Sequence, residues 1–342
     1  MAEAQIEGID IDAVTAWFTA SVEPVTPPLR FELITGGRSN LTYEVADADG
    51  RRFVLRRPPL GQVLATAHDM TREHRIIAAL ADTDVPVPPA RGLVEDDSVN
   101  GAPFYVMDFV DGAVIRSATD AAQLDGASRD HIGRSLVDVL ARIHAVDVDA
   151  VGLGDLGRRE GYVERQLKRW YGQWEKSKTR ELDSIDRVHE ALSASVPDQG
   201  PATIVHGDYR LDNCMIGDDG SVAAVLDWEL CTLGDPLADL GLLLVYWAEP
   251  DDELTVAEAP TTVGGFGTRA EVVDRYAAAT GRTVDHIDYY VAFGYWKLAC
   301  IVEGVYARYA GGSMGGDGAG AEAFAAQVEI LADAAAEAVD RL

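Results

Sequence analysis

The sequence predicts an α+β fold with two lobes, a small N-terminal lobe built on an antiparallel sheet and a larger, mostly helical C-terminal lobe. Short β-branched and aromatic runs between Gly- and Pro-bearing turns dominate the beginning of the chain. Apolar residues recur with helical spacing in most later segments. With 342 residues and 47% hydrophobic content, the chain can bury two cores of ordinary domain size. We therefore predict lobes at residues 1–110 and 111–342.

In the first lobe, the strand-like runs are 31–34, 41–45, 52–56, 91–94 and 103–107. Between the third and fourth runs, the segment from about 66 to 80 is predicted to be an amphipathic helix. In the second lobe, the predicted helices are 128–145, 162–174, 184–195, 237–247, 269–280, 287–309 and 321–342. Three short strands are predicted at 203–205, 214–216 and 222–226.

The residues that point to chemistry are HGDYRLDN at 206–213, followed after an apolar run by Leu226-Asp227-Trp228. Phosphoryl transfer needs a carboxylate for the proton of the attacking hydroxyl, an amide on a metal ion and a second carboxylate on the metal. Asp208, Asn213 and Asp227 supply these groups in that order. The flanking strand patterns place the first two in a tight loop and Asp227 at the end of a strand.

The ordered set of His206, Asp208, Asn213 and Asp227 resembles the catalytic centre of the aminoglycoside phosphotransferase-like family, relatives of the protein kinases. The resemblance implies a two-lobed protein-kinase-like fold and an ATP-dependent enzyme, with GTP as the other possible nucleotide. It implies that Asp208 is the catalytic base and that Asn213 and Asp227 hold Mg²⁺. We interpret His206 as a brace for the loop rather than as a base.

The resemblance implies a nucleotide site in the first lobe. Kinase-like folds carry a cation on the third strand, paired with a glutamate from the next helix. All four lysines follow this lobe, so we predict that Arg56 binds phosphates, with neighbouring Arg57 as the fallback, and that Glu73 is the partner of Arg56. On the alternative interpretation, Glu73 is one exposed carboxylate on a solvated helix face.

Two further segments complete the predicted nucleotide site. The turn at 35–40 is small and Gly-bearing, so its backbone could approach phosphate oxygens, although an ordinary hairpin turn fits the same residues. In the resembling family, backbone groups between the lobes read the nucleotide base. The predicted nucleotide contacts in these two segments are Gly37, Ser39, Asn40, Asp108 and Val110.

The acceptor is expected to be a small molecule that carries a hydroxyl group. Protein kinases bind peptide with a long activation segment and an Ala-Pro-Glu motif, and neither follows Asp227. Residues 56–59, two arginines and two prolines, are similar to the kinase-like domains linked to some acyl-CoA dehydrogenases. This similarity favours a hydroxyacyl-type metabolite, and aminoglycosides, amino alcohols and sugars are the alternatives. The candidate acceptor contacts are Glu229, Asp235, Glu303, Tyr306 and Arg308, whereas Asp239 is interpreted as structural.

A second hypothesis is a nucleotide-binding regulatory protein of the same fold that lacks transfer activity. The missing strand lysine favours it, and the complete trio of Asp208, Asn213 and Asp227 opposes it.

Composition narrows the partners and the compartment. The formal net charge of −28 argues against nucleic acid, because phosphate backbones are bound by clustered Lys and Arg. The apolar runs are shorter than the roughly 20 residues that a membrane span needs. The N-terminus does not resemble a signal peptide, so we expect a cytoplasmic protein. Three widely spaced cysteines predict neither a disulfide framework nor a zinc site. The oligomeric state stays open.

Overall fold

The computed structural model describes residues 6–34, 40–60, 69–252, 259–311 and 321–342, and the chain divides into two compact units. The first unit comprises Met1–Gly112 together with Ala223–Glu229. The second comprises Ala113–Val222 and Leu230–Leu342. The short stretch that carries Asp227 therefore belongs to the first unit, although it follows the 206–213 motif in sequence.

Five antiparallel strands form the sheet of the first unit in the order β1-β2-β3-β5-β4. The elements of this unit are α1 (Ile11–Ser21), β1 (Arg30–Leu33), β2 (Leu41–Ala46), β3 (Arg52–Arg57), α2 (Met70–Leu80), β4 (Ala90–Val94) and β5 (Phe104–Asp108). Arg56 on β3 lies directly opposite Tyr105 on β5, so their side chains share one face of the sheet. Asp69 caps α2 by accepting the backbone N–H of Arg72, which places Glu73 in the first turn.

Helix α1 is absent from the predicted elements and covers part of the core of the first unit. Val14 and Phe18 have no exposed surface, and the ring of Phe18 packs edge-on against Phe53 at a centroid distance of 5.8 Å. Each such buried side chain contributes about 1.5–3 kcal/mol to folding. The helix therefore supports the sheet rather than the site.

Helices dominate the second unit. The helices after Gly112 are α3 (Ala118–Ala122), α4 (Gly126–Ala145), α5 (Tyr162–Ser177), α6 (Asp183–Ala194), α7 (Leu237–Tyr246), α8 (Arg269–Thr280), α9 (Ile287–Ala310) and α10 (Ala321–Val339). The strands in this part of the chain are β6 (Thr203–Val205), β7 (Cys214–Ile216), β8 (Val222–Val225) and β9 (Thr232–Gly234). Strands β6 and β9 pair antiparallel.

Helix α9 runs through the core of the second unit and packs against α5, α6, α7 and α10. It crosses α7 at very short range, because a Cβ atom at Gly241 would lie 2.5 Å from the carbonyl group of Tyr290. Only glycine permits that approach. The close crossing matters for the site because both helices supply buried charged side chains to the loop after β6.

The predicted α+β fold is confirmed. The predicted helix 269–280 coincides with α8, and the other predicted helices of the second lobe differ from the observed ones by a few residues at their ends. Besides α1, the sequence interpretation missed the short elements α3 and β9. Across the described residues, no helix combines the length and apolar character needed to cross a bilayer.

Candidate active site

The first unit contains the predicted pair of Arg56 and Glu73. The Arg56 Nε atom lies 2.9 Å from the Glu73 Oε2 atom, and the two side chains are 13% and 2% exposed. Glu73 is therefore not a solvated helix residue. Its partner comes from β3, so the ion pair joins the sheet to α2.

Three side chains hold the Glu73 carboxylate. Besides Arg56, the Asn40 amide donates to Oε1 at 3.1 Å and the Tyr105 hydroxyl donates to Oε2 at 3.0 Å. Burial raises the pKa of Glu73, and the Arg56 guanidinium opposes that shift without cancelling it. Asn40 thus has a structural partner in α2. Gly37 and Ser39, the other predicted phosphate contacts of that turn, lie outside the described residues.

Arg56 also binds the proposed metal ligand Asp227. Its Nη2 atom lies 2.5 Å from Asp227 Oδ1, and Glu229 from the same short stretch accepts from the Asn40 amide at 3.4 Å. Asp227 has a φ of 63°, the one left-handed backbone among the non-glycine residues that the structure describes. Burial lowers the pKa of Arg56, but Tyr105, Glu73, Asp227 and Glu229 outweigh it and raise the pKa overall.

Asp108 and Val110, the residues predicted to read the nucleotide base, lie at and just after the end of β5. The backbone N–H of Asp108 donates to the carbonyl oxygen of Pro89 at 2.9 Å, and its side chain forms a two-point ion pair with Arg91. This N–H is engaged within the first unit and is not free to bind a base. Val110 follows the strand and is half-buried, and its base-reading role stays a prediction.

In the second unit, Asp208 and Asn213 meet in the loop between β6 and β7. The Asn213 Nδ2 atom donates to the Asp208 backbone oxygen at 2.8 Å and to the Asp208 carboxylate at 3.0 Å. With its NH₂ group used in this way, the Asn213 amide presents its carbonyl oxygen for a metal ion. Asp208 keeps 27% of its side chain exposed, so its carboxylate can reach a substrate.

His206 has no exposed surface and lies behind this loop. Its Nδ1 atom accepts the backbone N–H of Asp208 at 3.3 Å, while its own backbone N–H donates to Asp239 Oδ2 at 2.6 Å. These are the contacts of a residue that braces the loop. A ring buried in this way is poorly placed to remove a proton from a substrate.

Asp239 anchors the loop from α7. Its Oδ1 atom accepts the N–H of Gly207 at 2.8 Å, and His144 Nε2 from α4 lies 3.3 Å from Oδ2. The other ring nitrogen of His144 lies 2.7 Å from the Tyr276 hydroxyl. Burial raises the pKa of Asp239, but His144 and the N–H donors outweigh it and lower the pKa overall. Burial lowers the pKa of His144.

Sequence interpretation missed Lys297. Its Nζ atom donates to the carbonyl oxygen of Gly207 at 2.7 Å, although only 5% of the residue is exposed. Lys297 lies inside the apolar run that forms α9. A lysine in such a run is a weak signal, and its partner is 90 residues away in sequence.

A cavity of about 240 Å³ adjoins the loop within the second unit. Tyr246 lines it, and burial together with the charge of Asp208 raises the pKa of Tyr246. The Arg210 guanidinium lies over the Tyr246 ring at 4.8 Å. The remaining lining residues are Arg116, Leu136, Leu211, Asp212, Leu243, Trp247, Ala259, Pro260 and Thr261. The wall is thus mostly apolar, with two arginines near the proposed base.

The predicted acceptor contacts of the second unit do not line this cavity. Asp235 is buried and accepts the Tyr290 hydroxyl at 2.6 Å. Glu303 is fully buried and accepts from the N–H and hydroxyl of Thr179 at 2.6 and 2.8 Å. A carboxylate held in this way is not available to a substrate, which corrects the predicted role of Glu303. Tyr306 and Arg308 lie on α9 with Glu303 and are not among the residues that line the cavity.

Within the described ranges, no group of three or more His, Cys, Asp and Glu side chains is arranged to hold a metal ion by itself. Mg²⁺ is typically bound through one or two protein ligands together with substrate phosphates. The Asn213 carbonyl oxygen and the Asp227 carboxylate fit such a role chemically.

Comparison with known proteins identifies the relatives of the chain. Residues 30–287 match the phosphotransferase enzyme family APH. The chain is 36% identical over 288 residues to acyl-CoA dehydrogenase family member 10 of Mus musculus, which covers 83% of this chain and 27% of that protein. The chain thus spans about a quarter of that relative.

Two solved structures share the fold. One from Ralstonia eutropha, provisionally described as an aminoglycoside phosphotransferase, is 32% identical, covers 97% of this chain and 99% of that one, and has a TM-score of 0.83. The other, APH(2″)-IIIa with bound GDP and kanamycin, is 15% identical, covers 95% of this chain and 98% of that one, and has a TM-score of 0.64.

Proposed function

Because the chain belongs to the phosphotransferase enzyme family, we propose that it transfers the γ-phosphate of a nucleotide to a hydroxyl group of a small molecule. The observation that carries this proposal is the partly exposed Asp208 carboxylate, fixed by the Asn213 amide and bordered by a cavity. We take ATP as the donor and keep GTP as the alternative, since a relative of the same fold binds GDP.

Asp208 is proposed to orient the acceptor hydroxyl and to receive its proton as the oxygen attacks the γ-phosphate. A base must lie within hydrogen-bond reach of that proton. Two hydrogen bonds from the Asn213 amide hold the Asp208 residue at its backbone and at its carboxylate. The carboxylate therefore needs little reorganisation during the reaction.

Asn213 and Asp227 are proposed to hold Mg²⁺, which would neutralise charge on the phosphates when bound. Arg56 is proposed to bind the nucleotide phosphates with its planar guanidinium. Its ion pair with Glu73 fixes the direction of the side chain. Its contact with Asp227 at 2.5 Å links the phosphate contact to the metal ligand.

The cavity next to Asp208 favours an acceptor with an apolar body. Leucine, tryptophan and proline side chains provide most of the wall. The charge of the two lining arginines, Arg116 and Arg210, is balanced in part by Asp212, which lies 3.1 Å from Arg210. We therefore favour a hydroxyacyl-type metabolite, in keeping with the kinship to an acyl-CoA dehydrogenase family member.

The test is nucleoside diphosphate release from ATP and from GTP, with Mg²⁺, across a panel of hydroxy acids, their thioesters, aminoglycosides, amino alcohols and sugars. Asp208→Asn is run beside Asp218→Asn, the same change at an exposed turn residue twelve positions after His206 and outside the proposed site. We expect acceptor-stimulated release that falls by about 10²–10⁴-fold in Asp208→Asn and stays unchanged in the control. Full turnover by Asp208→Asn would remove Asp208 from its role.

The alternative is a nucleotide-binding regulatory protein without transfer activity. Its structural support is the Arg56–Asp227 contact, which occupies an oxygen that the proposed metal needs. Tight nucleotide binding without release for any member of the panel would favour this alternative.

A further inference from the structure

Gly207, the residue before the proposed base, is held at both of its backbone polar groups by buried charged side chains. Its N–H donates to Asp239 Oδ1 at 2.8 Å, and its carbonyl oxygen accepts from Lys297 Nζ at 2.7 Å. The two side chains come from α7 and α9 and are 1% and 5% exposed. A carboxylate from α7 and an ammonium group from α9 thus bind the two backbone polar groups of Gly207.

The backbone conformation of Gly207 is tightly restricted. Gly207 has a φ of 86°, a region that side-chain-bearing residues rarely adopt. A Cβ atom there would lie 2.9 Å from the Cβ and carbonyl oxygen of Leu230. The backbone before Asp208 is therefore restricted to one conformation, and the two charged groups hold it there.

Lys297 is buried, so its ammonium group carries a desolvation cost that its contact with the loop can offset. Its Nζ atom donates to the Gly207 carbonyl oxygen, and the Trp170 ring lies 5.9 Å away. Burial lowers the pKa of Lys297, which the charges of Asp208 and Asp239 oppose and that of Arg169 reinforces. An apolar side chain of similar length would fill this space without the cost of burying a charge.

We propose that Lys297 is a positioning residue for the Asp208 loop, which acts with Asp239 to fix the peptide groups on either side of Gly207. Its ammonium orients the Gly207–Asp208 peptide through the carbonyl oxygen and stabilises the nearby Asp208 carboxylate through its charge. The effect on turnover rests on the proposed function. The effect on the loop does not.

The test compares Lys297→Met, which removes the charge and the donor but keeps the length, with Lys168→Met. Lys168 is an exposed residue of α5 and forms no part of the proposed site. Hydrogen exchange of the segment 203–213 is measured in the nucleotide-free protein. We expect exchange at least about 10-fold faster in Lys297→Met and unchanged in Lys168→Met. Unchanged exchange in Lys297→Met would overturn the proposal.

Turnover gives a second readout that a purely structural role would not move. Lys297→Met should lower kcat about 10–100-fold with the KM for nucleotide within about 2-fold of wild type. As the pH rises toward the ordinary lysine value of 10.5, the wild-type kcat should fall with loss of the ammonium, and the kcat of Lys297→Met should show no such fall. An equal kcat and an equal alkaline fall in both proteins would overturn the role in turnover.

The two readouts separate this inference from the proposed function. Faster exchange in Lys297→Met without transfer to any acceptor would support the loop contact and count against the transferase. Transfer that survives unchanged in Lys297→Met, with unchanged exchange, would support the transferase and eliminate Lys297.

Discussion

The two units hold their proposed site residues by different means. In the first unit, the carboxylates of Glu73 and Asp227 share one guanidinium, that of Arg56, at 2.9 and 2.5 Å. In the second unit, two backbone N–H groups hold Asp239 and the Asn213 amide holds Asp208, while the Arg210 guanidinium lies farther from Asp208, at 3.6 Å. Ion pairs of the first kind can exchange partners, whereas bonds of the second kind fix geometry.

This difference suggests a division of labour. A metal ion and phosphates compete directly with ion pairs, so the first unit is suited to bind a charged nucleotide and to reorganise around it. Preorganised hydrogen bonds keep a base in one place, so the second unit is suited to the chemical step. Changes in the first unit should therefore alter affinity, and changes in the second should alter turnover and local stability.

The largest effect on stability is expected for Asp239→Ala. The substitution leaves the N–H groups of His206 and Gly207 buried without an acceptor, at about 1–3 kcal/mol each. We expect the free energy of unfolding to fall by about 3–5 kcal/mol, measured by urea denaturation. Asp218→Ala at an exposed turn is the control and should change it by less than about 0.5 kcal/mol. Equal effects of the two changes would mean that Asp239 does not anchor the loop.

A smaller effect, on affinity, is expected for Arg56→Met. Loss of a charge-assisted contact to phosphate should weaken nucleotide binding by about 1.5–3 kcal/mol, measured by titration calorimetry. The matched control is Arg57→Met, one residue later. The Arg57 guanidinium donates to the carbonyl oxygens of Gly8 and Pro58, so its loss should leave affinity nearly unchanged. The opposite ranking would assign the phosphate contact to Arg57.

The smallest effect concerns acid, to which His144 and Glu73 should respond with opposite signs. Burial lowers the pKa of His144, so below its ordinary value of 6.5 the unfolded state binds more protons and stability falls as the pH falls. Burial raises the pKa of Glu73, so above its ordinary value of 4.5 the folded state binds more protons and acid favours folding. Burial also lowers the pKa of His74 in the first unit, so acid sensitivity is not confined to the second unit. Acidification should therefore loosen the packing around His144.

Hydrogen exchange at about pH 7 and about pH 5.5, corrected for intrinsic rates, checks this expectation, with a predicted loss of protection around 203–213. His144→Gln should reduce that loss. A loss of protection that is unchanged in His144→Gln would contradict the assignment of acid sensitivity to His144.

Local patterns were sufficient to predict much of this molecule. The strand that carries Arg56, the helix that carries Glu73 and the loop of Asp208 and Asn213 all follow from short runs of residues whose spacing reflects their structure. The pairing of Arg56 with Glu73 needed only the resemblance to a known arrangement, because the two elements are consecutive. Within each of these features, the residues that interact lie within about 20 positions of one another in the sequence.

The contacts that the sequence did not reveal join distant parts of the chain. Arg56 and Asp227 are 171 residues apart, and Lys297 and Gly207 are 90 residues apart. Lys297 lies in the apolar run of α9, whose periodicity predicts a core helix. That pattern gives no indication that Lys297 contacts the loop. The N–H of Asp108 was similarly unpredictable, because its acceptor Pro89 is set by the pairing of β4 and β5. Tertiary packing decides these contacts.

The most direct test of the division of labour is nucleotide binding, with and without Mg²⁺, to Asp227→Asn and Asp208→Asn side by side. We expect Asp227→Asn to lose the Mg²⁺-dependent part of the affinity, about 10-fold or more, and Asp208→Asn to bind nucleotide within about 2-fold of wild type. Equal losses in both variants, or a loss confined to Asp208→Asn, would contradict this expectation.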